Sequence, residues 1–371
     1  MGHLSAAERA LVDELLDCIA EAMRRQDDVD PAYASKTKLQ KLLYLAIDEF
    51  DLPVTHSWYL AGAVVPGDGA TPAGLRSSFD DVTGPSGPSL DADESAAPSD
   101  TDSAAAATDG FDDLLDSVAS PADDETLDPI LFSPESAGET DPSPDRLGDR
   151  RADVVDFYEA TLPDVWYQRT MRFLQNFYLE HAPAAYRDLY VQSTHLRTRL
   201  HDVETVVKAI TEGEQPTQSL DELVDDVGLD ISDLHCSIQS SEELQSTFDG
   251  FVRGTDLIED GLLMLATRSP DDLEPGHVAT VQSMQDFFFY YVWRFPCLHI
   301  SRETATGPSV ESLRAERTDR LADFEDELQQ EADRFERELA QAGLIPDYTD
   351  YSPPDDDVTE TITSLADNYI E

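Results

Sequence analysis

The chain has 371 residues, with 78 acidic side chains against 25 basic ones and a formal net charge of −53. Three widely spaced cysteines (Cys18, Cys236 and Cys297) in apolar surroundings exclude a disulfide framework or a cysteine-rich zinc site. The longest apolar run, FFFYYVW at 287–293, falls far short of the ~20 residues a membrane helix needs, and MGHLSAAERA carries no apolar signal core.

Helix signals dominate in chain order. Ser5 and Glu8 form a capping-box pattern, followed by Leu11, Leu15, Ile19 and Met23 at helical spacing, with Arg24 and Arg25 at the carbonyl end. A second helix begins after Pro31, buries Leu39, Leu42, Leu43, Ala46, Ile47 and Phe50, and ends at Pro53. SWYLAGAVVP at 57–66 reads as a strand or a tight packed loop. From Ser77 to Asp145 there is no Lys or Arg, and Asp, Ser, Ala, Pro and Gly prevail. Such a stretch cannot offset chain entropy by burial, which predicts an acidic disordered insert. Two apolar islands interrupt it: Phe111, Leu114, Leu115 and Val118 at i, i+3, i+4, i+7, then Leu127, Ile130, Leu131 and Phe132.

Order returns near Val154, and Trp166, Phe173, Leu174, Phe177 and Tyr178 mark one helix that Pro183 stops. A long helix over 184–210 follows. Ser219 and Glu222 open a short helix that Gly228 ends, and Ser240 to Glu243 open another running to Thr267. An aromatic helix at 277–295 ends at Pro296. Ser309 then starts a charged helix of about 34 residues, roughly 50 Å long. Its narrow seam of Leu321, Leu328, Phe335 and Ala342 suggests an arm or hairpin partner, with possible self-association through 321–342. The expected architecture is all-α, a multi-helical bundle with a long acidic insert and a long charged C-terminal helix. Its divisions are a helical module at 1–76, the insert at 77–150, a helical core at 151–300, the arm at 301–346 and an acidic tail at 347–371.

Asp outnumbers Glu, Arg stands where Lys is usual, and acidic residues occur in every segment. This composition resembles that of proteins from salt-in halophilic archaea and places the chain in a saline cytoplasm; acidity is then a solubility device and says nothing of a basic partner. No catalytic, cofactor or metal site is expected. His195 and His201 are six apart, on different helix faces, and His235 and Cys236 are adjacent rather than spaced for chelation. Cys297 and His299 would rarely reach nucleophilic geometry on one short segment. Carboxylate pairs are too plentiful to single any out.

Only four residues are lysine, and Lys36, Lys38 and Lys41 share the segment KTKLQKLLYLAIDEF. With Arg146, Arg150 and Arg151 they form the local positive clusters; nucleic-acid binding is not expected, because high salt weakens phosphate-driven contacts. Lys38 to Ala46, followed by Trp58 and AGAVVP at 61–66, resembles the N-terminal signature of the SocA-like/Panacea domain family. There a K-L-x-K-L-L-Y-type helix precedes a W…GPV-type segment; here Gly62-Ala63 replaces Gly-Pro and Pro comes only at 66. The resemblance covers residues 36–66 and implies a compact, non-catalytic helical interaction domain, antitoxin-like or an adaptor linking a toxin to a protease system. Lys38, Lys41 and Tyr44 are then partly fold-determining and partly surface-forming. The partner-binding candidates are accordingly Lys36, Lys38, Lys41 and Tyr44, with Phe111, Leu114, Leu115, Val118, Ile130, Leu131 and Phe132 of the islands. A structural or assembly protein, viral or of a surface apparatus, is the alternative, and a DNA-binding regulator using the lysine-rich helix comes after it.

Overall fold

A computed structural model describes residues 4–26, 29, 35–66 and 146–346. The islands at 111–118 and 127–132 and the tail at 347–371 lie outside the described residues. Within them the protein is an all-α bundle, with one short hairpin as the exception. Helix α1 (Ala6–Arg24) starts on the expected capping box: the Ser5 hydroxyl accepts from the Glu8 amide, and the Glu8 carboxylate accepts from the Ser5 amide. Helix α2 covers Lys36–Glu49. The SWYLAGAV segment forms an antiparallel hairpin of β1 (Ser57–Tyr59) and β2 (Gly62–Val64), with Ser57 opposite Val64. Gly62 has φ +94°, and a Cβ there would sit 2.6 Å from the Tyr178 ring, so the turn needs glycine twice over.

The chain then forms α3 (Arg151–Trp166), α4 (Thr170–His181) and the long α5 (Arg187–Thr211). The single helix expected to hold both Trp166 and Tyr178 is thus broken at Tyr167–Arg169, where Arg169 is extended at ψ 135°. The break lets α3 turn Trp166 and α4 turn Phe177 and Tyr178 into the core by separate routes. Helix α6 (Leu220–Ser240) runs straight through Gly228. A Cβ at Gly228 would meet only a Glu259 carboxylate oxygen, at 3.1 Å, and the helix hydrogen bonding continues past the glycine. A 3-10 turn at Glu242–Thr247, where a helix start was expected, leads into α7 (Phe248–Ala266).

The aromatic segment is α8 (Pro275–Phe287), a π-helical turn at Phe288–Val292 and α9 (Arg294–Thr304). Pro296 does not end it. It sits in the first turn of α9, where a missing N–H costs no intrahelical bond. Helix α10 (Val310–Gln341) is no free arm: Leu313, Phe324, Leu328, Ala332, Phe335 and Leu339 are buried against α7, α8 and α9, and Phe335 stacks on Phe287 at 4.4 Å. Most of its seam therefore packs inside the molecule, with Leu321 and Ala342 half-buried at its two ends.

One continuous cluster of buried side chains draws on α1, α2, the hairpin, α3 to α9 and α10. Residues on either side of the insert therefore share a core. The hairpin makes the seam polar as well as apolar. Trp58 N–H donates to Thr304 Oγ1 (2.9 Å), Trp293 Nε1 to the Leu60 carbonyl (2.9 Å), and the Tyr190 hydroxyl to the Tyr59 carbonyl (3.1 Å). No helix among the described residues is long and apolar enough to cross a membrane.

Candidate functional site: an arginine-lined cleft

The lysine-rich helix is placed inward. Lys38 is 7% exposed and donates to the Trp166 carbonyl at 3.0 Å. Lys41 is 2% exposed, donates to the Ala63 carbonyl at 2.8 Å and lies 5.7 Å from the Phe177 ring centroid. Burial without a countercharge pushes its pKa down to about 7. Between them the Gln40 carboxamide clamps Val65, its nitrogen donating to the Val65 carbonyl and its oxygen accepting from the Val65 amide. Tyr44, 7% exposed, meets His56 and Trp58 edge-on. Only Lys36 is part-exposed. The K-L-Q-K pattern is thus a set of donors aimed at backbone carbonyls, and the surface-forming role expected of Lys38, Lys41 and Tyr44 has no counterpart here. The second positive cluster is also engaged: Arg151 pairs with Glu21 at 2.9 Å and Arg150 donates to the Phe50 carbonyl.

Cys297 is buried, and desolvation holds its thiol well above the ordinary value, while the His299 imidazole contacts Phe295 and is pushed down to about 4 by burial. His235 bonds Thr255 at 2.8 Å and its neighbour Cys236 faces solvent. Among the described residues no three His, Cys, Asp or Glu side chains are grouped to hold a metal ion.

The break between α3 and α4 opens a cleft of about 1010 Å³ over the face of α5, with Asp230 of α6 closing one side. That is the upper end of the ~300–1,000 Å³ typical of ligand sites. Arg169 and Arg172 enter from the start of α4, Arg197 and Arg199 from α5. In a chain with three acidic residues for every basic one, four arginines face two aspartates (Asp202 and Asp230) across this space. The local sign is inverted.

Each cation is held differently. Arg197 is 3% exposed and its guanidinium lies 4.1 Å from the Phe289 ring centroid; desolvation lowers its pKa to about 10, which leaves it charged at neutral pH. The π-helical turn sets Phe289 under it. Arg199 pairs with Asp226 at 3.0 Å and approaches Asp230 at 3.7 Å. Arg169 and Arg172 are exposed and pair with no carboxylate among the described residues. His195, whose ring nitrogen lies 2.7 Å from the Gln175 amide nitrogen, and His201, 3.5 Å from Glu204, both border the cleft despite their six-residue separation.

At the mouth, α4 begins without a side-chain cap. Its first intrahelical bond is Phe173 N–H to the Arg169 carbonyl (2.9 Å), so the amides of Thr170, Met171 and Arg172 precede the ladder. Thr170 is 3% exposed and its hydroxyl has no hydrogen-bond partner, and the Gln168 carboxamide oxygen is likewise buried and unpaired.

The whole chain, residues 1–371, matches the model of a family described as a domain of unknown function, DUF8098. The protein belongs to that family. No curated protein and no solved structure matches it. In this DUF8098 protein the cleft escaped sequence reasoning because its arginines come as two pairs, 169/172 and 197/199, some 25 residues apart on different helices, and no glycine or proline lies in the break at 167–169 that opens it.

Proposed function

We propose that this chain is a non-catalytic protein-interaction module of a saline cytoplasm, antitoxin-like or adaptor-like, that receives an acidic segment of a protein partner in the arginine-lined cleft. The observation that carries the reading is the inversion of charge sign at this large cleft, set against a net −53 for the chain as a whole. A surface of that overall charge repels acidic chains at long range, and molar salt shortens the repulsion to roughly 3 Å. Within contact distance, guanidinium forks then discriminate carboxylates by geometry. The resemblance of residues 36–66 to the SocA-like/Panacea signature supports the interaction class, with Lys38, Lys41 and Tyr44 as fold-forming residues.

The test is binding of a fluorescent Asp/Glu-rich peptide in multimolar KCl, read by anisotropy, for the wild type and for an Arg169→Glu, Arg172→Glu variant. The wild type is expected to bind and the variant to lose at least about tenfold in affinity, the scale of one charge-assisted contact. An equal signal from both proteins, or none from the wild type, removes the cleft from the reading.

A further inference from the structure

We infer that the mouth of the cleft, at the start of α4, is a phosphate-monoester subsite, carried into it by a phosphoserine or phosphothreonine of the partner segment. This rests on the reading above and specifies its chemistry. The uncapped first turn of α4 presents three amides, and the helix dipole favours negative charge there. A helix end alone would be unremarkable, but three further features converge on it. Thr170 lines the cleft, is more than nine-tenths buried, and its hydroxyl has no partner, a donor that an acceptor-rich ligand seated on this turn would satisfy. Arg169 and Arg172 flank the same turn with no carboxylate of the described residues drawn to them, on a chain where 78 acids compete for 25 cations. Arg197 sits in the cleft wall with its plane fixed over Phe289.

The number of donors decides between anions. A carboxylate brings two oxygens and one charge; a phosphate monoester brings three terminal oxygens and ~1.5 to 2 charges at neutral pH. Three amides, one hydroxyl and two forked guanidinium groups exceed what a single carboxylate can accept. The carrier follows from the rest of the cleft. Its lining runs along α5 through Thr194, Thr198 and Asp202, about 12 Å of helix at ~1.5 Å per residue, room for roughly three residues of extended backbone, and the unpaired Gln168 oxygen is an acceptor that a peptide N–H can fill. A free nucleotide shares the phosphate chemistry and would find an aromatic platform in Tyr167, 56% exposed at the same turn.

Calorimetric titration of the full chain in multimolar KCl separates these. The probes are an acidic peptide with one phosphoserine, the same peptide unphosphorylated, inorganic phosphate and adenosine monophosphate. The phosphopeptide is expected to bind at least about tenfold tighter than its unphosphorylated form, with inorganic phosphate competing. Arg172→Gln and Thr170→Val should each erase most of that difference, and Thr170→Ser should keep it. Arg172 is exposed, so its variant reports on binding even if Thr170→Val unfolds the protein. Equal affinity for the two peptides overturns the subsite while leaving the acidic-segment reading intact. Failure of every peptide removes both. Monophosphate binding tighter than the phosphopeptide overturns the peptide carrier.

Discussion

Glu8 shows how one side chain can hold three distant segments together. Its carboxylate accepts from the Ser5 amide and hydroxyl, from the Thr55 amide (2.9 Å) and hydroxyl (2.6 Å), and from the Ser309 hydroxyl. Burial alone would raise its pKa, but these hydrogen bonds outweigh it and hold the group at about 2. A carboxyl whose pKa is depressed on folding contributes stability above its unfolded value, near 4.5, and that contribution fades as pH falls toward 2. Glu8→Gln is expected to cost roughly 1–3 kcal/mol at neutral pH, the range for leaving buried hydrogen-bond donors unsatisfied, and to flatten the acid limb of a denaturant-midpoint profile; an unchanged acid limb would show that the network is unimportant. Lys41 has the opposite sign. With a folded pKa of about 7 against an ordinary 10.5, the unfolded chain holds this proton to higher pH, so stability should rise between those values. In Lys41→Met that rise should vanish, and urea titrations at pH 7 and 10 measure it directly. The capping box was legible from Ser5 and Glu8 three apart. The bonds to Thr55 and Ser309 were not, because separations of 47 and 301 residues leave no local pattern.

Among elements, the long charged helix is the sharpest contrast between pattern and packing. Its heptad spacing of Leu328 and Phe335 is visible in the sequence, but a two-residue-wide seam suits a coiled-coil partner and a groove in the same molecule equally well. The groove wins here because α7, α8 and α9 supply the other half, with Phe287 stacked on Phe335. Phe335→Ala should therefore destabilise the protein by about 3–5 kcal/mol in chemical denaturation, the range for deleting a buried aromatic ring. An independent arm would give a value near zero. The same contest explains Gly228 and Pro296, which read as stops from local chemistry alone. At Gly228 the residues on both sides bury their apolar face, Val224 and Val227 before it and Ile231 after it, and carry the helix through, and at Pro296 the first turn tolerates the missing donor. The lysine-rich helix inverts the usual rule for a related reason: its ammonium groups find the Trp166 and Ala63 carbonyls, partners supplied by α3 and the hairpin and invisible to any helical wheel.

Across the whole molecule, two electrostatic effects oppose each other as salt changes. Pairs such as Arg25 with Glu21, Asp156 and Glu159 weaken when screened, but exposed pairs are worth ~0–1 kcal/mol each. Repulsion among an excess of 53 negative charges falls under the same screening and is much the larger sum. The screening length drops from about 10 Å at 0.1 M to about 3 Å at 1 M, so most of the relief comes within that interval. The urea midpoint should climb steeply with KCl up to about 1 M and then level off. A slope that continues unchanged far beyond it would point to salt acting through hydrophobic burial instead. Because one core spans both sides of the insert, tryptophan fluorescence from Trp58, Trp166 and Trp293 and far-UV circular dichroism should report a single coincident transition at each salt concentration. Two separated transitions would mean that the hairpin contacts to Thr304 and Trp293 are too weak to couple the segments they join.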